Sequence, residues 1–289
     1  MAQAIRKVGV VGLGNMGLPI ARTLAAAGFE VKGFDTMEER RAAFSPNIGS
    51  LGDLATASDA LLLSLPTSDI IEKVVAEAAE SLTSGRLILD TSTAEPASSR
   101  RLQAEMAARG IGYLDAPVSG GPTAARNGQL LVMAGGAESD LNRAAAVLQA
   151  IARQVVHCGG PGTGNVTKLV NNLLCAAHLT LAGEALALAE AGDLQPEALL
   201  AALNVGSGRS GVTELNLPRW VLSNSFDSGF SMGLMRKDVG LALKLASEVG
   251  LAPRLATAAG AIWRDSGASV PDSEDFNRMV PYAKETSRR

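Results

Sequence analysis

The chain has 289 residues, 47% of them hydrophobic, with 26 basic against 29 acidic side chains and a formal net charge of −3. That length provides for two domains, and a near balance of charge without a basic block excludes the electrostatic footprint of a nucleic-acid binder. Its two cysteines, Cys158 and Cys175, are too few and too separated for a disulfide framework or a zinc cage, so no metal is expected and a reducing cytoplasm is the expected location.

At the start, Arg6 and Lys7 followed by an apolar run imitate a secretory signal, but glycines and Asn15 interrupt the run before a continuous apolar segment forms. The apolar runs KVGVV, EVKGF, ALLLSLP, RLILD, GYLDAPV, QLLVMAG and QVVHC then alternate with helical patterns over 15–27, 69–82, 96–109 and 138–151. Such alternation predicts βαβ units and a mainly parallel, doubly wound α/β sheet. After GGPGTG (159–164) strand-like runs vanish and Ala and Leu dominate. A helix from Asn165 to Ala191 would extend about 40 Å at roughly 1.5 Å per residue, long enough to span a domain junction or to pack against another subunit. Within it, Leu173 to Ala191 raises the question of a membrane span, but His178, Glu184 and Glu190 interrupt the stretch, which reads as a buried helix. Further helices are predicted near 196–204, 211–222, 237–249 and 253–265, followed by a polar tail. The expected organisation is a Rossmann-like domain over 1–162 and an all-helical domain over 163–289, begun by the long connecting helix and serving substrate binding and oligomerisation.

Gly12, Gly14 and Gly17 have the spacing of a dinucleotide fingerprint, with Leu13, Asn15 and Met16 between them. The triplet follows a strand and opens a helix whose N-terminus can face phosphate. Asp35 ends the next strand, where an acidic side chain can accept hydrogen bonds from an adenosine ribose and repel a 2′-phosphate. NAD is therefore favoured over NADP; Arg40 and Arg41 keep NADP open, since either reaches a phosphate if the loop folds that way.

Two later stretches carry candidate chemistry. DAPVSGG (115–121) ends a strand on the ligand-binding side of such a sheet, and Ser119, Gly120 and Gly121 offer a hydroxyl and unobstructed backbone N–H groups as a carboxylate cradle. GTGNVTKLVNN (162–172) opens the long helix with Lys168 and Asn172 four apart and so on one face, with Asn171 nearby. Polar side chains on a mostly apolar helix are costly unless satisfied or used. In VGSGRSG (205–211), Arg209 has a planar fork suited to an anionic or hydroxylated substrate tail if it reaches the site, and is a solvated helix-turn residue if it does not.

Together GLGNMG, DAPVSGG, GTGNVTKLVNN and FSMGLMRKDVGLAL (230–243) make the chain resemble the β-hydroxyacid dehydrogenase family over nearly its whole length. The resemblance implies an NAD-dependent oxidoreductase acting on a small 3-hydroxy acid or its semialdehyde, with a cleft between a Rossmann-like and a helical domain, assembled as a homodimer or homotetramer. It makes Lys168 the acid/base, Asn172 its orienting partner, and Ser119, Gly120 and Gly121 substrate binders. It places Lys237 near nicotinamide and substrate, and Thr93 and Leu65-Pro66 along the cofactor. An imine reductase typically replaces the lysine that Lys168 matches, the decarboxylating 6-phosphogluconate enzymes need a longer helical domain, and a non-catalytic cofactor-sensing protein on this scaffold is expected to have lost Lys168 or Asn172.

Overall fold

The computed structural model describes residues 4–288, which fall into two compact units divided between Lys168 and Leu169. The first is built on strands β1 (Lys7–Val11), β2 (Glu30–Phe34), β3 (Ala60–Leu63), β4 (Leu87–Asp90), β5 (Gly112–Asp115), β6 (Val118–Ser119), β7 (Leu130–Gly135) and β8 (Ala152–Gly159). They form one sheet in the order β2-β1-β3-β4-β5-β7-β6, with β8 also paired to β7. Strands β1 to β5 are parallel; β7 runs antiparallel to β5 and β6 and parallel to β8. The expected run GYLDAPV is divided into β5 and β6, and Pro117, which has no N–H to give a ladder, lies in the break.

Because β2 and β3 lie on opposite sides of β1, the winding reverses there, and the carboxyl ends of β1 and β3 border the crevice where such sheets take ligands. The central strands β3 and β4 are buried on both faces. Leu61, Leu63 and Ile88 pack on one side with Ile71, Val75 and Leu102, while Leu62, Leu87 and Leu89 pack on the other with Ile20, Leu24, Val147 and Leu148. This two-residue alternation explains the near-continuous apolar runs, each buried Leu or Ile contributing about 1.5–3 kcal/mol. The covering helices are α1 (Gly17–Ala26), α2 (Glu38–Ala42), α3 (Leu51–Ala57), α4 (Ser68–Ala79), α5 (Pro96–Ala108), α6 (Gly121–Arg126) and α7 (Glu138–Ile151). Helices α2, α3 and α6 are too short to leave a period in the sequence, although α3 carries a legible cap, Ser50 Oγ accepting the Asp53 N–H at 3.1 Å.

Helix α8 (Thr163–Ala191) starts in the first unit and continues through the second, which adds α9 (Pro196–Leu203), a π-helix (Val212–Val221), α10 (Met232–Glu248), α11 (Arg254–Asp265) and α12 (Met279–Thr286). Ala176, Leu179 and Leu186 of α8 pack with Met235 and Val239 of α10, Trp263 of α11 and Val280 of α12. The Trp263 indole N–H is satisfied by the Ala176 carbonyl at 3.0 Å. The segment expected as an ordinary helix near 211–222 is wound wider, as the five-residue bond from Leu222 N–H to Leu217 O at 2.8 Å shows; Pro218 within it has no N–H for an α-helical bond. Helix α10 starts five residues before the expected 237 because Ser231 caps it, accepting the Leu234 N–H at 3.3 Å. The expected polar tail instead forms α12, whose Pro281 sits in the first turn, where a missing N–H costs nothing.

By length and composition alone α8 could cross a membrane. Asn165, Lys168 and Asn172 are buried polar residues along it, and Ala176, Leu179 and Leu186 lie in the core of the second unit.

Candidate active site

The glycine loop has the shape a dinucleotide needs. Gly12 has φ +90°, and a Cβ there would meet the Ser64 carbonyl oxygen at 2.3 Å; a Cβ on Gly17 would meet the Gly12 oxygen at 1.8 Å. The loop can therefore close only without side chains at these two places. At Gly14 a Cβ would approach only Arg40 Nη1, at 3.7 Å, so the backbone there is open. Helix α1 begins directly afterwards with no side-chain cap on its first turn. That arrangement offers N–H groups and the positive end of a helix dipole to a pyrophosphate.

Asp35, 6% exposed at the end of β2, braces this loop: Oδ2 accepts the Leu13 N–H at 2.8 Å and Oδ1 the Met37 N–H at 2.9 Å. The two nearby arginines differ in use. Arg41 donates to the carbonyls of Asp35 at 2.6 Å and Thr36 at 3.1 Å, holding the turn, whereas half-exposed Arg40 lies 3.7 Å from Asp35 Oδ2 and beside Gly14. At the neighbouring strand ends the Leu65 N–H donates to Ser92 Oγ at 2.9 Å and the Thr91 hydroxyl to Leu63 O at 2.6 Å. These bonds stitch the Leu65-Pro66 loop to the segment carrying half-buried Thr93. The residues present thus fit a nicotinamide dinucleotide by backbone shape, open amides and an acidic strand end.

Ser119 pairs with Leu131 in the β6–β7 ladder, Gly120 has φ +124°, and Gly121 is the first residue of α6. Lys168 is 7% exposed on α8, with Asn172 one turn further along. Asn172 is held from two directions: Asn171 Nδ2 donates to its Oδ1 at 3.1 Å, and its own Nδ2 donates to Asp238 Oδ2 at 2.6 Å. Lys237 Nζ lies 3.1 Å from Asp238 Oδ1 as an ion pair, without hydrogen-bond geometry at that oxygen. Buried Asp238 thus joins Asn172 to Lys237, a role sequence reasoning missed. The signal was a carboxylate between Met235, Val239 and Ala242 on the buried face of α10, where a charge is retained only with partners. Arg209 is 63% exposed and its nearest acid is Glu214, at 3.7 Å.

A second group of buried acids lies at the carboxyl edge of the sheet. Asp90 accepts the Ser92 N–H at 3.0 Å and the Tyr113 hydroxyl at 2.9 Å. Burial pushes Asp90 up to about 6, against the pull of these hydrogen bonds. Burial likewise raises Asp115, opposed by backbone N–H groups of the loop into α8, and drives Tyr113 well above its ordinary range.

Residues 7–160 match the family described as the NAD binding domain of 6-phosphogluconate dehydrogenase, and residues 162–283 the family described as the NAD-binding domain of NADP-dependent 3-hydroxyisobutyrate dehydrogenase. Among curated relatives, 2-(hydroxymethyl)glutarate dehydrogenase of Eubacterium barkeri is 34% identical over 95% of this chain and 93% of its own. Human mitochondrial 3-hydroxyisobutyrate dehydrogenase is 33% identical over 96% of this chain and 87% of its own. The solved 3-hydroxyisobutyrate dehydrogenase of Mycobacterium tuberculosis with L-serine superimposes with a TM-score of 0.91 at 30% identity, covering 99% of this chain and 100% of that one. The chain belongs to the β-hydroxyacid dehydrogenase family. It is an NAD(P)-dependent oxidoreductase acting on the CH–OH group of a hydroxy acid.

Proposed function

We propose that this enzyme interconverts a small 3-hydroxy acid of the form HO–CH2–CH(R)–COO− and its semialdehyde, with NAD(H) preferred to NADP(H). The observation carrying this reading is the buried Lys168 one turn from Asn172, itself fixed by Asp238. The relatives' named compounds agree with it: 3-hydroxyisobutyrate, 2-(hydroxymethyl)glutarate and L-serine share a hydroxymethyl group on the carbon that bears the carboxylate, and differ in R.

When bound, the nicotinamide supplies the acceptor or donor of hydride. Gly12 to Gly17 hold the pyrophosphate, Asp35 the adenosine ribose, and Leu65, Pro66 and Thr93 line the cofactor. Ser119, Gly120 and Gly121 bind the substrate carboxylate, and Lys237 serves substrate and nicotinamide. In oxidation Lys168 in its neutral form takes the proton from the substrate hydroxyl as the C–H bond breaks; in reduction its ammonium returns that proton to the carbonyl oxygen. Asn172 orients Lys168. Arg209, salt-bridged to Glu214, reaches a substrate tail only by leaving that partner.

The enzyme works as a homodimer or homotetramer in the cytoplasm. Support for assembly comes from Val170, Leu174, Leu181 and Leu188, which form an exposed apolar stripe on α8. Cofactor reduction across 3-hydroxyisobutyrate, 2-(hydroxymethyl)glutarate, glycerate, serine and threonate tests the substrate class. Turnover confined to compounds without the hydroxymethyl carboxylate unit would overturn it. Lys168→Ala should lower kcat by about 10² to 10⁴ with NADH binding nearly intact.

A further inference from the structure

A simple helix start needs only a local serine or aspartate, worth about 1 kcal/mol. Helix α8 is started differently. Asp115, buried at the end of β5, accepts the Gly162 N–H on Oδ1 at 2.8 Å and the Asn165 N–H on Oδ2 at 2.9 Å, so the cap comes from a strand 47 and 50 residues away in the chain. Asn165 has no exposed surface. Its Oδ1 accepts the Ala94 N–H at 2.9 Å and its Nδ2 donates to Ser99 Oγ at 3.0 Å. Between these two anchors the helix backbone touches the sheet directly: a Cβ on Gly164 would meet the carbonyl oxygens of Asp115 and Met133, each at 2.4 Å.

Gly162, Gly164 and Asn165, around the start of the helix, therefore serve contacts with β5, with β5 and β7, and with the segment that follows Thr93. We infer that Asp115 and Asn165 are positioning residues for Lys168, locking the axial height and rotation of α8 against the ends of β4 and β5 so that the lysine amine meets the reacting hydroxyl. This rests on the proposed acid/base role of Lys168. The geometry of an α-helix makes the transmission short. Lys168 stands three residues after Asn165 and four after Gly164, on the same face as both. Slip or rotation at the first turn therefore moves Lys168 by a similar amount. A misplacement of about 1 Å at a reacting group costs about 100-fold in rate.

The lock does more than stability requires. Ala94 N–H and Ser99 Oγ could each be satisfied by water or by a local turn, yet both are given to the one amide side chain of Asn165. The two anchors also constrain different motions: the carboxylate, taking two N–H groups one turn apart, opposes fraying and axial slip, and the amide, gripping α5 and the turn before it, opposes rotation.

The test is a double-mutant cycle with 3-hydroxyisobutyrate and NAD. Asn165→Leu keeps the side-chain size and removes both polar contacts; Ser99→Ala removes only one of them and leaves the fold least disturbed. In the Lys168 background Asn165→Leu is expected to lower kcat about 30-fold, with KM for either substrate changed less than about threefold. A larger primary isotope effect is expected with substrate deuterated at the hydroxyl carbon. Ser99→Ala should do the same at about threefold. In a Lys168→Ala background each substitution should cost less than about twofold, because the group they position is gone. An equal loss in both backgrounds overturns the positioning role while leaving Lys168 as acid/base. Unchanged kcat in Ser99→Ala and Asn165→Leu overturns it too. Wild-type turnover in Lys168→Ala removes the acid/base reading itself, and this inference with it.

Discussion

Replacing Asp90 by Asn should make the enzyme more stable above neutral pH and leave it nearly unchanged in acid. Asp90 ends β4 with no exposed surface, and burial is the largest cause of its rise from 3.8 to about 6, with the charge of Asp115 adding to it. Because the folded pKa lies above the unfolded one, the folded state holds a proton through the window from about 4 to 6 in which the unfolded chain has released it. Stability from this group is thus fully present below about 4 and is lost as pH rises through about 6. A shift of about two units corresponds to about 3 kcal/mol. In Asp90→Asn the amide oxygen still accepts the Ser92 N–H, the amide N–H faces the Tyr113 oxygen, and no charge remains to desolvate. At pH 8 the variant should exceed the wild type by up to about 3 kcal/mol, or about 5–10 °C in the melting midpoint of a unit of this size. The gap should close to less than about 1 kcal/mol at pH 4. Melting both proteins across this range checks it. A gap that does not change with pH, or a variant less stable at pH 8, refutes the reasoning.

Wild-type kcat/KM should favour NAD over NADP, and Asp35→Ala should narrow that ratio while also weakening both cofactors, because the carboxylate holds the Leu13 and Met37 amides as well. Arg40→Ala should reduce use of NADP more than of NAD, whereas Arg41→Ala, which frees the carbonyls of Asp35 and Thr36, should lower stability without changing the ratio. If the proposed assembly uses the apolar stripe of α8, Leu181→Asp and Leu188→Asp, at positions 62% and 77% exposed, should leave helicity intact and halve the particle mass seen by light scattering; an unchanged mass would refute assembly through this stripe. Asp238→Ala should destabilise the enzyme by about 3 kcal/mol through the stranded Asn172 amide, and should lower kcat along with it.

The parts of this fold that were legible in the sequence are those where one period dominates. Strands β3 and β4 are buried on both sides and read as LLL and LIL; α4, α5, α7 and α11 lie within three residues of their expected limits because an apolar face marks them, with Thr67 capping α4 and Pro96 opening α5. The glycine loop was legible because Gly12 and Gly17 are forced by contacts with Ser64 and with each other, and Gly14 completes their spacing. What escaped depends on partners far away in the chain. Nothing near Asp115 says that it caps a helix 47 residues later. The width of the π-helix and the antiparallel placement of β7 are likewise set by neighbours that no local window contains. Arg40 and Arg41 have the same chemistry and adjacent positions, and only the folded turn gives one of them to backbone carbonyls. Asp238 is defined by its contacts with Asn172, 66 residues earlier, and with Lys237, and only the first of these lies outside a local window.

Helix α8 draws these threads together, because three requirements have been written on one stretch of 29 residues. Asn165, Lys168 and Asn172 follow one another at three- and four-residue spacing and form a buried polar line confined to the first third of the helix. Ala176, Leu179 and Leu186 continue that spacing as the core contact of the second unit. Leu174, Leu181 and Leu188 stand seven apart on an exposed face, the spacing of a seam between helices. A helix apolar on nearly all sides is indistinguishable by composition from a membrane span. The polar line sets its first third apart: two amides buried near its start, Asn165 and Asn172, are tolerable only where they meet partners, and such partners are supplied by Ala94, Ser99 and Asp238. The same three residues are those assigned to aligning and moving the substrate proton. Conservative replacement within the polar line should therefore damage turnover before it damages folding, whereas replacement along Ala176, Leu179 and Leu186 should do the reverse.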